Sequence, residues 1–355
     1  MPSPSPLPPN QSPRVPTLSE IQTRAQQVFC VQPCLWQLEV AEAMLKREKD
    51  VVCMAGDGTG ETLTFWMPLL SRPDEIQIVV TPLSLLGKKN ATLLAKAGIH
   101  LFRSAGKLQG LQISFKRSRL IFLTTNHYKA IRTFEYRVIV ITTEQFMKPD
   151  GEFEKLLMNP LFASRIISIV IDGAHCLTGW GEFHPEYERL GRLRYVLPGA
   201  IPFLITSPAF TKSDLNDVIH LFHMHMDRTL VVRRSSDRPN IKIGVKNIIH
   251  PMNSFADLAF LIPAGFKVGD PPPPKFLVFF DDVDESIAAT RFLWRCLPHE
   301  LRLKIKWYNP DMSATFKKTE VENLLSSETW DLYTAMSFGM VRISKYSGII
   351  TDRYV

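Results

Sequence analysis

Short, continuous apolar runs alternate with helix-like segments along most of this 355-residue chain. Runs rich in Val and Ile suit strands that are buried on both faces of a parallel sheet, and the helical segments suit the connections between them. The alternation predicts an α/β fold built from parallel βαβ units. In the first part of the chain the predicted strands are Val51–Met54, Gln77–Thr81, Arg137–Thr142, Ile166–Asp172 and Phe203–Ser207. Further along they are Leu230–Arg233, Ile241–Val245, Phe276–Asp281, Lys304–Tyr308 and Leu332–Ala335.

Helix signals and breaks in composition divide the chain into segments. Thr17-Leu18-Ser19-Glu20 is a capping box that predicts the start of a helix. Further helices are expected over Gln32–Lys46, Glu285–Cys296 and Thr315–Leu325. A chain of this length can form two domains with separate cores, and we place their boundary near Arg234–Pro239. The predicted organisation is a disordered Pro/Ser-rich tail (1–17), a first domain (18–234), a partial second domain (235–340) and a divergent tail (341–355).

Composition narrows the class of protein. A charged fraction of 22% and a hydrophobic fraction of 45% are those of a soluble globular protein. No apolar run approaches the roughly 20 residues that span a bilayer, so we expect no membrane partner. The net charge of +7 is compatible with a polyanion partner but does not require one. We interpret the cysteines as reduced, mostly buried thiols of an intracellular protein. They are Cys30, Cys34, Cys53, Cys176 and Cys296.

A glycine-rich turn, residues 55–62, follows the first predicted strand and precedes an apolar, helix-compatible segment. Strand, glycine loop and helix N-terminus form the layout of a phosphate-binding loop, whose pattern is G-x-x-x-x-G-K-[ST]. Ala55 replaces the first glycine and Glu61 replaces the lysine. Backbone N–H groups at the helix N-terminus favour an anion, whereas Glu61 opposes one. The predicted nucleotide contacts in the loop are Gly56, Gly58, Thr59, Gly60, Glu61 and Thr62.

An apolar strand that ends in Asp172 has the layout of a Walker B motif. A carboxylate at the carboxyl end of a parallel strand can hold Mg²⁺, and we predict Asp172 and Thr62 as its ligands. The next residues are Gly173, Ala174 and His175. The motif therefore reads D-G-A-H instead of D-E-A-H.

An ordered set of aromatic residues continues directly from this motif in the stretch DGAHCLTGWGEFHPEYERLGRLR. The stretch resembles motif II and the aromatic-rich loop of RecQ-family DNA helicases, whose pattern is D-E-A-H-C followed by W-G-x-x-F-R-P-x-Y. His184 stands at the arginine position, and the Trp-to-Phe spacing is one residue shorter. Aromatic faces can stack on bases, and packing of the same rings in a core is the alternative. The aligned positions are Trp180, Phe183, His184, Pro185 and Tyr187.

Other segments resemble further motifs of the same family, in the same order. Gln37 resembles the motif 0 glutamine, which in the family reads the adenine edge. Thr81 and Pro82 resemble motif Ia, which contacts DNA. The remaining similarities are Thr142–Gln145 to motif Ib, Thr206–Ala209 to motif III, Asp237–Asn240 to D-R-P-N, Phe279–Asp281 to motif IV and Thr334–Met340 to motif V.

The resemblance implies two RecA-like P-loop NTPase domains with parallel sheets, of which the second is incomplete. It implies ATP and Mg²⁺ as cofactors, and DNA as the partner, single-stranded or with single-strand tails. The implied DNA contacts are Thr81, Pro82, Trp180, Phe183, His184 and Tyr187. The implied catalytic positions are Asp172, His175 and Gly173, with glycine replacing the glutamate that orients the attacking water. A nuclear location is expected. No counterpart of motif VI, with its arginine finger, follows motif V, so the chain resembles a truncated copy.

Two hypotheses of different classes follow. The family predicts an ATP-dependent 3′-to-5′ DNA helicase. The substitutions at Glu61 and Gly173 instead favour a catalytically inactive relative that binds nucleic acid or acts as a scaffold. Because phosphoryl transfer depends on positioning and charge neutralisation, we expect little or no ATP hydrolysis.

Overall fold

The computed structural model describes residues 14–56, 58–81, 88–103, 125–148, 151–175, 188–197, 201–235, 237, 242, 244–280, 282–309, 312–335 and 349–352. The chain divides into two compact units, and the first ends at Asp237. None of the described helices is long and apolar enough to span a bilayer.

The first unit is a parallel sheet with helices on both faces. Its strands are β1 (Asp50–Met54), β2 (Ile76–Val80), β3 (Leu101–Arg103), β4 (Val138–Ile141), β5 (Ile166–Ile171), β6 (Phe203–Ser207) and β7 (Thr229–Arg233). Its helices are α1 (Leu18–Phe29), α2 (Leu35–Lys46), α3 (Leu63–Ser71), α4 (Lys88–Lys96), α5 (Thr125–Arg132), α6 (Thr143–Phe146), α7 (Glu152–Leu157), α8 (Pro160–Ser164), α9 (Leu193–Val196) and α10 (Lys212–Leu221). Two 3₁₀ turns, Glu188–Arg192 and Met226–Arg228, complete it.

The strand order in this sheet is β3-β4-β2-β5-β6-β1-β7, and all pairs are parallel. Alternate residues of each strand enter different cores. In β1, Val52 and Met54 pack into one core, whereas Val51 and Cys53 pack into the core that α1, α2 and α3 cover. The continuous apolar character of the predicted strands therefore has its physical reason in burial on both faces. The predicted α/β class with parallel sheets is confirmed.

The second unit contains a smaller parallel sheet, in the order β11-β8-β10-β9. Its strands are β8 (Phe276–Phe280), β9 (Ile305–Tyr308), β10 (Asp331–Ala335) and β11 (Ile349–Asp352). Its helices are α11 (Val283–Arg295) and α12 (Ala314–Ser326), with 3₁₀ turns at Met252–Ser254, Ala256–Leu261 and His299–Lys304. A core that includes Phe276, Val278 and Leu293 joins α11 to the sheet.

Two sequence predictions for the second part of the chain differ from the structure. Ile241–Val245 was predicted as a strand, but Lys242, Gly244 and Val245 lie outside regular structure. Val245 is 93% exposed, so it contributes no apolar contact that would hold a strand against a core. The predicted divergent tail contains β11, which pairs with β8 from Ile349 opposite Phe276.

The expectation of mostly buried cysteines is wrong for Cys30 and Cys34, which are exposed free thiols. Both occupy helix caps, at the end of α1 and the start of α2, where the connecting chain faces solvent. Cys53 is buried and Cys296 is partly buried, and both are free. Cys176 lies outside the described residues.

Candidate nucleotide-binding site

The glycine-rich loop leaves β1 at the carboxyl edge of the first sheet and leads into α3. Its start is fixed by the amide of Ala55, which donates to the Ser207 carbonyl of β6 at 3.1 Å. Gly60 has a φ of +88°, and a Cβ atom there would lie 2.7 Å from Nε2 of Gln37. The positive φ and the close approach both require glycine at this position.

The other predicted phosphate contacts surround this glycine. Thr59 closes a turn, because its amide and its hydroxyl donate to the Gly56 carbonyl at 3.2 and 2.8 Å. Gly58 is exposed in the same turn. Thr62 is the N-cap residue of α3, and its side chain forms no capping hydrogen bond. The positive end of the α3 dipole therefore lies beside the loop and favours an anion there.

Gln37 ties α2 to the loop. Its side chain is 4% exposed. Oε1 accepts a hydrogen bond from the Cys34 amide at 2.8 Å. Nε2 donates to the carbonyl oxygens of Thr59 at 3.2 Å and of Gly60 at 2.9 Å. The residue predicted to read an adenine edge thus makes these hydrogen bonds to the protein backbone at the loop, and its contact with adenine stays a prediction.

Glu61 is buried within the loop, with 8% of its surface exposed. Its carbonyl oxygen accepts from the amide of Thr64 at 3.0 Å and from the Thr64 hydroxyl at 2.7 Å, so its backbone forms the turn that leads into α3. Burial raises the pKa of the Cys53 thiol to about 12, and the negative charge of Glu61 adds to this shift. The carboxylate therefore lies near β1, inside the loop rather than in open solvent.

Asp172 lies directly after β5, at the same sheet edge as the loop. Its amide donates to the Val80 carbonyl at 2.9 Å. Its Oδ1 accepts from the hydroxyl of Thr206 at 3.2 Å. The half-buried carboxylate of Asp172 and the hydroxyl of Thr62 are oxygen ligands of the kind that Mg²⁺ takes together with phosphate oxygens and water. Within the part of the chain that the structure describes, no group of three or more His, Cys, Asp or Glu residues could hold a metal.

Gly173 turns the chain immediately after this carboxylate. Its φ of +76° lies in the left-handed region, which favours glycine. The following amide, of Ala174, donates to the Thr206 carbonyl at 2.8 Å and fixes the turn to β6. His175 is exposed. A glutamate at position 173 would thus meet a backbone conformation that side chains rarely adopt.

Of the predicted DNA contacts, Thr81 lies within the described residues. Thr81 follows β2, is 4% exposed, and donates its amide to the Ile141 carbonyl at 3.1 Å. Its contact with DNA stays a prediction. The other predicted contacts, Pro82, Trp180, Phe183, His184 and Tyr187, lie outside the described residues.

Sequence reasoning missed the role of Thr206 as the hydrogen-bond donor to Asp172. A signal for it was available, since Thr206 lies near the end of a predicted strand. β6 pairs in parallel with β5, from Ile169 opposite Phe203 to Ile171 opposite Ile205. This register brings Thr206 beside Asp172, but a sequence without a strand order does not state which strands are neighbours.

The residues that form this site fall within one segment that matches a known family. Residues 35–218, just over half of the chain, match the DEAD/DEAH box helicase family. The chain belongs to the DEAD/DEAH box helicase family. The matched segment begins at α2, which carries Gln37, and contains the glycine-rich loop and Asp172 of this helicase-family chain.

Curated relatives confirm that this helicase-family chain resembles RecQ-type proteins. The probable ATP-dependent DNA helicase RecS of Bacillus subtilis is 30% identical over 213 residues, which are 59% of this chain and 38% of RecS. The ATP-dependent DNA helicase RecQ of Haemophilus influenzae is 28% identical over 221 residues, covering 61% and 32% of the two chains. The ATP-dependent DNA helicase Q1 of Rattus norvegicus is 26% identical over 239 residues, covering 65% and 35%. The matches span about a third of the length of these relatives.

Solved structures agree with this helicase-family fold. The DEAD-box helicase Mss116 bound to ssRNA and UDP-BeF has a TM-score of 0.61 and 15% identity, covering 95% of this chain and 67% of that one. The DUF1998 helicase MrfA bound to DNA and AMPPNP has a TM-score of 0.60 and 11% identity, covering 98% and 47%. At such identities the likeness shows the fold alone, and that fold is the predicted RecA-like one.

Proposed function

We propose that this chain is a RecQ-type DNA-binding protein in which ATP hydrolysis is weak or absent. The observation that carries the proposal is Glu61, a buried carboxylate inside the glycine-rich loop, where the family pattern has a lysine. The proposed partner is DNA, single-stranded or with single-strand tails, and the nucleus is the proposed location.

The charge of Glu61 opposes a triphosphate in the loop. Two unit charges about 4 Å apart interact by about 4 kcal/mol at an effective dielectric constant near 20. Between a lysine and a phosphate this interaction is attractive, whereas between a glutamate and a phosphate it is repulsive. The dipole of α3 offsets only about 0.3–1 kcal/mol. Thr62 and Asp172 therefore suit Mg²⁺, but Glu61 does not suit the phosphates that would complete its coordination.

Gly173 weakens the hydrolytic step separately from binding. A side chain that positions or deprotonates an attacking water contributes about 10²–10⁴-fold to a rate. Gly173 has no side chain that could do this. Both substitutions act on the same reaction, so their effects do not add independently, but each is severe alone.

Support for DNA as the partner comes from the relatives, which are named DNA helicases, and from the excess of positive charge on the chain. Affinity for DNA depends mainly on contacts between basic side chains and phosphates, and it survives the loss of ATP turnover. An active ATP-dependent helicase is the alternative, because Asp172 keeps its place after β5 and its bond to Thr206.

The deciding measurement is ATP hydrolysis by the full chain with and without single-stranded DNA. The control is a RecQ-type helicase whose loop lysine has been replaced by alanine. We expect turnover no higher than in that control, together with saturable DNA binding in fluorescence anisotropy. DNA-stimulated turnover above the control would establish the active alternative, and a lack of DNA binding would remove the proposed function.

Two substitutions in the loop separate binding from hydrolysis. Glu61→Gln removes the negative charge, and Glu61→Lys replaces it with a positive one at similar length. We expect ATP affinity to rise in that order, by at least about tenfold for Glu61→Lys, since about 1.4 kcal/mol corresponds to a factor of ten. Hydrolysis should stay at background in both, because Gly173 is unchanged. Equal ATP affinity in all three proteins would show that Glu61 does not face the phosphates.

A further inference from the structure

A cavity of about 350 Å³ opens at the amino edge of the first sheet, the edge opposite the glycine-rich loop. We call it the amino-edge cavity. It lies where β1, β6 and β7 begin, whereas Asp172 and the loop follow the carboxyl ends of strands. It is therefore distinct from the candidate nucleotide-binding site. The wall residues that matter below are Glu48, Lys49, Asp50, Arg194, Tyr195 and Arg228.

The register of the sheet places two cations of the wall side by side. Asp50 of β1 pairs with Thr229 of β7. Lys49 and Arg228 are the residues immediately before this pair, so they precede the starts of two neighbouring strands. Among the ion pairs of the described residues, neither side chain has a carboxylate partner. Both side chains are exposed in the same wall, and an anion between two like charges would relieve their repulsion.

Asp50, a carboxylate of the same wall, is already paired with another cation. Asp50 forms an ion pair with Arg194, and its Oδ1 also accepts from the Phe203 amide at 2.8 Å. The Arg194 guanidinium is fixed further, since it donates to the carbonyl oxygen of Phe222 at 3.1 Å. Both charges are thus compensated within the fold. Glu48 is the remaining carboxylate of the wall, and it is exposed.

An aromatic ring lies in the same wall. Tyr195 is 75% exposed, and its ring makes an edge-on contact with the His223 ring, with centroids 5.3 Å apart. An exposed phenol ring is an available surface for stacking a base, whichever base it is. The volume of the cavity is at the lower end for ligand sites, which suits one small molecule or one unit of a polymer.

We infer that the amino-edge cavity binds one nucleotide unit. Lys49 and Arg228 hold its phosphate, and Tyr195 stacks on its base. A phosphate accepts charge-assisted hydrogen bonds from both cations, and Arg228 can form two parallel bonds to it. The unit comes either from a free nucleoside monophosphate or from a single strand. The amino-edge cavity does not include the glycine-rich loop, so it is separable from the candidate nucleotide-binding site.

The test uses the full chain and three probes: AMP, inorganic phosphate and a fluorescent oligothymidylate. Arg228→Glu removes one of the two cations, and Lys129→Glu is its matched control. Lys129 is an exposed residue of α5. This helix precedes β4, near the opposite end of the sheet. We expect Arg228→Glu to lower the affinity for AMP or oligothymidylate, whichever binds, at least tenfold. Lys129→Glu should change the same affinity less than twofold. Glu48→Gln should raise the affinity, since it removes a negative charge from the wall.

Tyr195→Ala distinguishes a nucleotide site from a simple anion site. It should weaken AMP or oligothymidylate binding and leave inorganic phosphate binding unchanged. Sensitivity of AMP alone to Arg228→Glu and Tyr195→Ala identifies a free nucleotide as the source, and sensitivity of the oligonucleotide alone identifies a strand. The inference is overturned if the affinities for AMP and for oligothymidylate are both unchanged by these substitutions. It is also overturned if Tyr195→Ala alone changes neither affinity. A folded variant is verified by the thermal transition of the first unit.

Discussion

Replacing Gln37 with alanine removes the side chain that ties α2 to the glycine-rich loop. Its amide makes three hydrogen bonds, one from the Cys34 amide and one each to the Thr59 and Gly60 carbonyls. Because the side chain is 4% exposed, its partners have little access to replacement water. Each such bond contributes about 0.5–1.5 kcal/mol net, so we expect a loss of about 2–4 kcal/mol in the free energy of unfolding of the first unit.

Alkylation of Cys53 provides an assay specific for that unit. Cys53 is fully buried in β1, so it reacts with a thiol reagent only when the first unit opens. Labelling pulses across a urea series, read by mass spectrometry, give the midpoint of unfolding. The matched control is Gln27→Ala, at an exposed glutamine of α1, where we expect a change within about 0.5 kcal/mol. Equal midpoints for Gln37→Ala and Gln27→Ala would refute the reasoning.

Gln37→Glu tests the same hydrogen bonds with a side chain of nearly the same size as glutamine. The introduced carboxylate keeps an acceptor for the Cys34 amide but loses the donor, and it faces the carbonyl oxygens of Thr59 and Gly60. Its charged form is therefore disfavoured in the folded state, which raises its pKa above the unfolded value. The destabilisation should be larger than in Gln37→Ala at neutral pH and should decrease as the pH falls and the carboxyl is protonated. A pH-independent difference between the two variants would contradict this.

Further predictions concern single positions. Native Cys53 should alkylate far more slowly at pH 8 than Cys30, because its pKa of about 12 leaves almost no thiolate; equal rates would show that β1 opens. Gly173→Ala should lower stability by about 1–2 kcal/mol because of the positive φ, measured by calorimetry, and an unchanged transition would contradict the turn. Arg194→Met should lower the free energy of unfolding by about 3 kcal/mol in the urea assay, since it leaves the largely buried Asp50 carboxylate without its ion-pair partner. Hydrogen bonds from His250 lower the pKa of Asp257. The ionised carboxylate therefore stabilises the folded state above the ordinary Asp pKa, and this stabilisation should be lost as the pH falls through the lowered pKa. Asp257→Asn should abolish this pH dependence of stability.

Strands with buried neighbours on both sides were predictable from the sequence. β6 (Phe203–Ser207) has the predicted bounds, and β5 (Ile166–Ile171) starts at the predicted residue and ends one residue earlier than predicted. Their apolar runs are long because each face enters a core. β3 and β11 were missed, since three or four residues at a sheet edge carry too little pattern to identify. In the strand predicted at Ile241–Val245, the described residues Lys242, Gly244 and Val245 lie outside strands, so alternation alone was not enough to predict one.

The sequence names candidate members of the site but not the contacts between them. The loop and Asp172 lie at one sheet edge because β1 and β5 are parallel strands, which follows from the βαβ pattern. Gln37 reaches the loop from α2. The bonds of Gln37 to the loop carbonyls depend on how α2 packs, and the bond from Thr206 to Asp172 depends on strand order. Neither the packing of α2 nor the strand order can be derived from the local sequence. The φ of Gly173 is likewise a property of the folded turn.

The two substitutions in the nucleotide site differ in what the fold requires of them. Glu61 lies in the turn just before α3, and its carbonyl accepts hydrogen bonds from Thr64, which any side chain at this position allows. Glutamate and lysine differ there in the sign of their charge. At Gly173 the positive φ adds a conformational cost of about 1–2 kcal/mol for any side chain. A glutamate restored there would have to be accommodated by moving the turn that Ala174 fixes to Thr206, and Thr206 also holds Asp172. A single substitution therefore reverses the charge at the loop, whereas a side chain at position 173 also disturbs the turn beside Asp172.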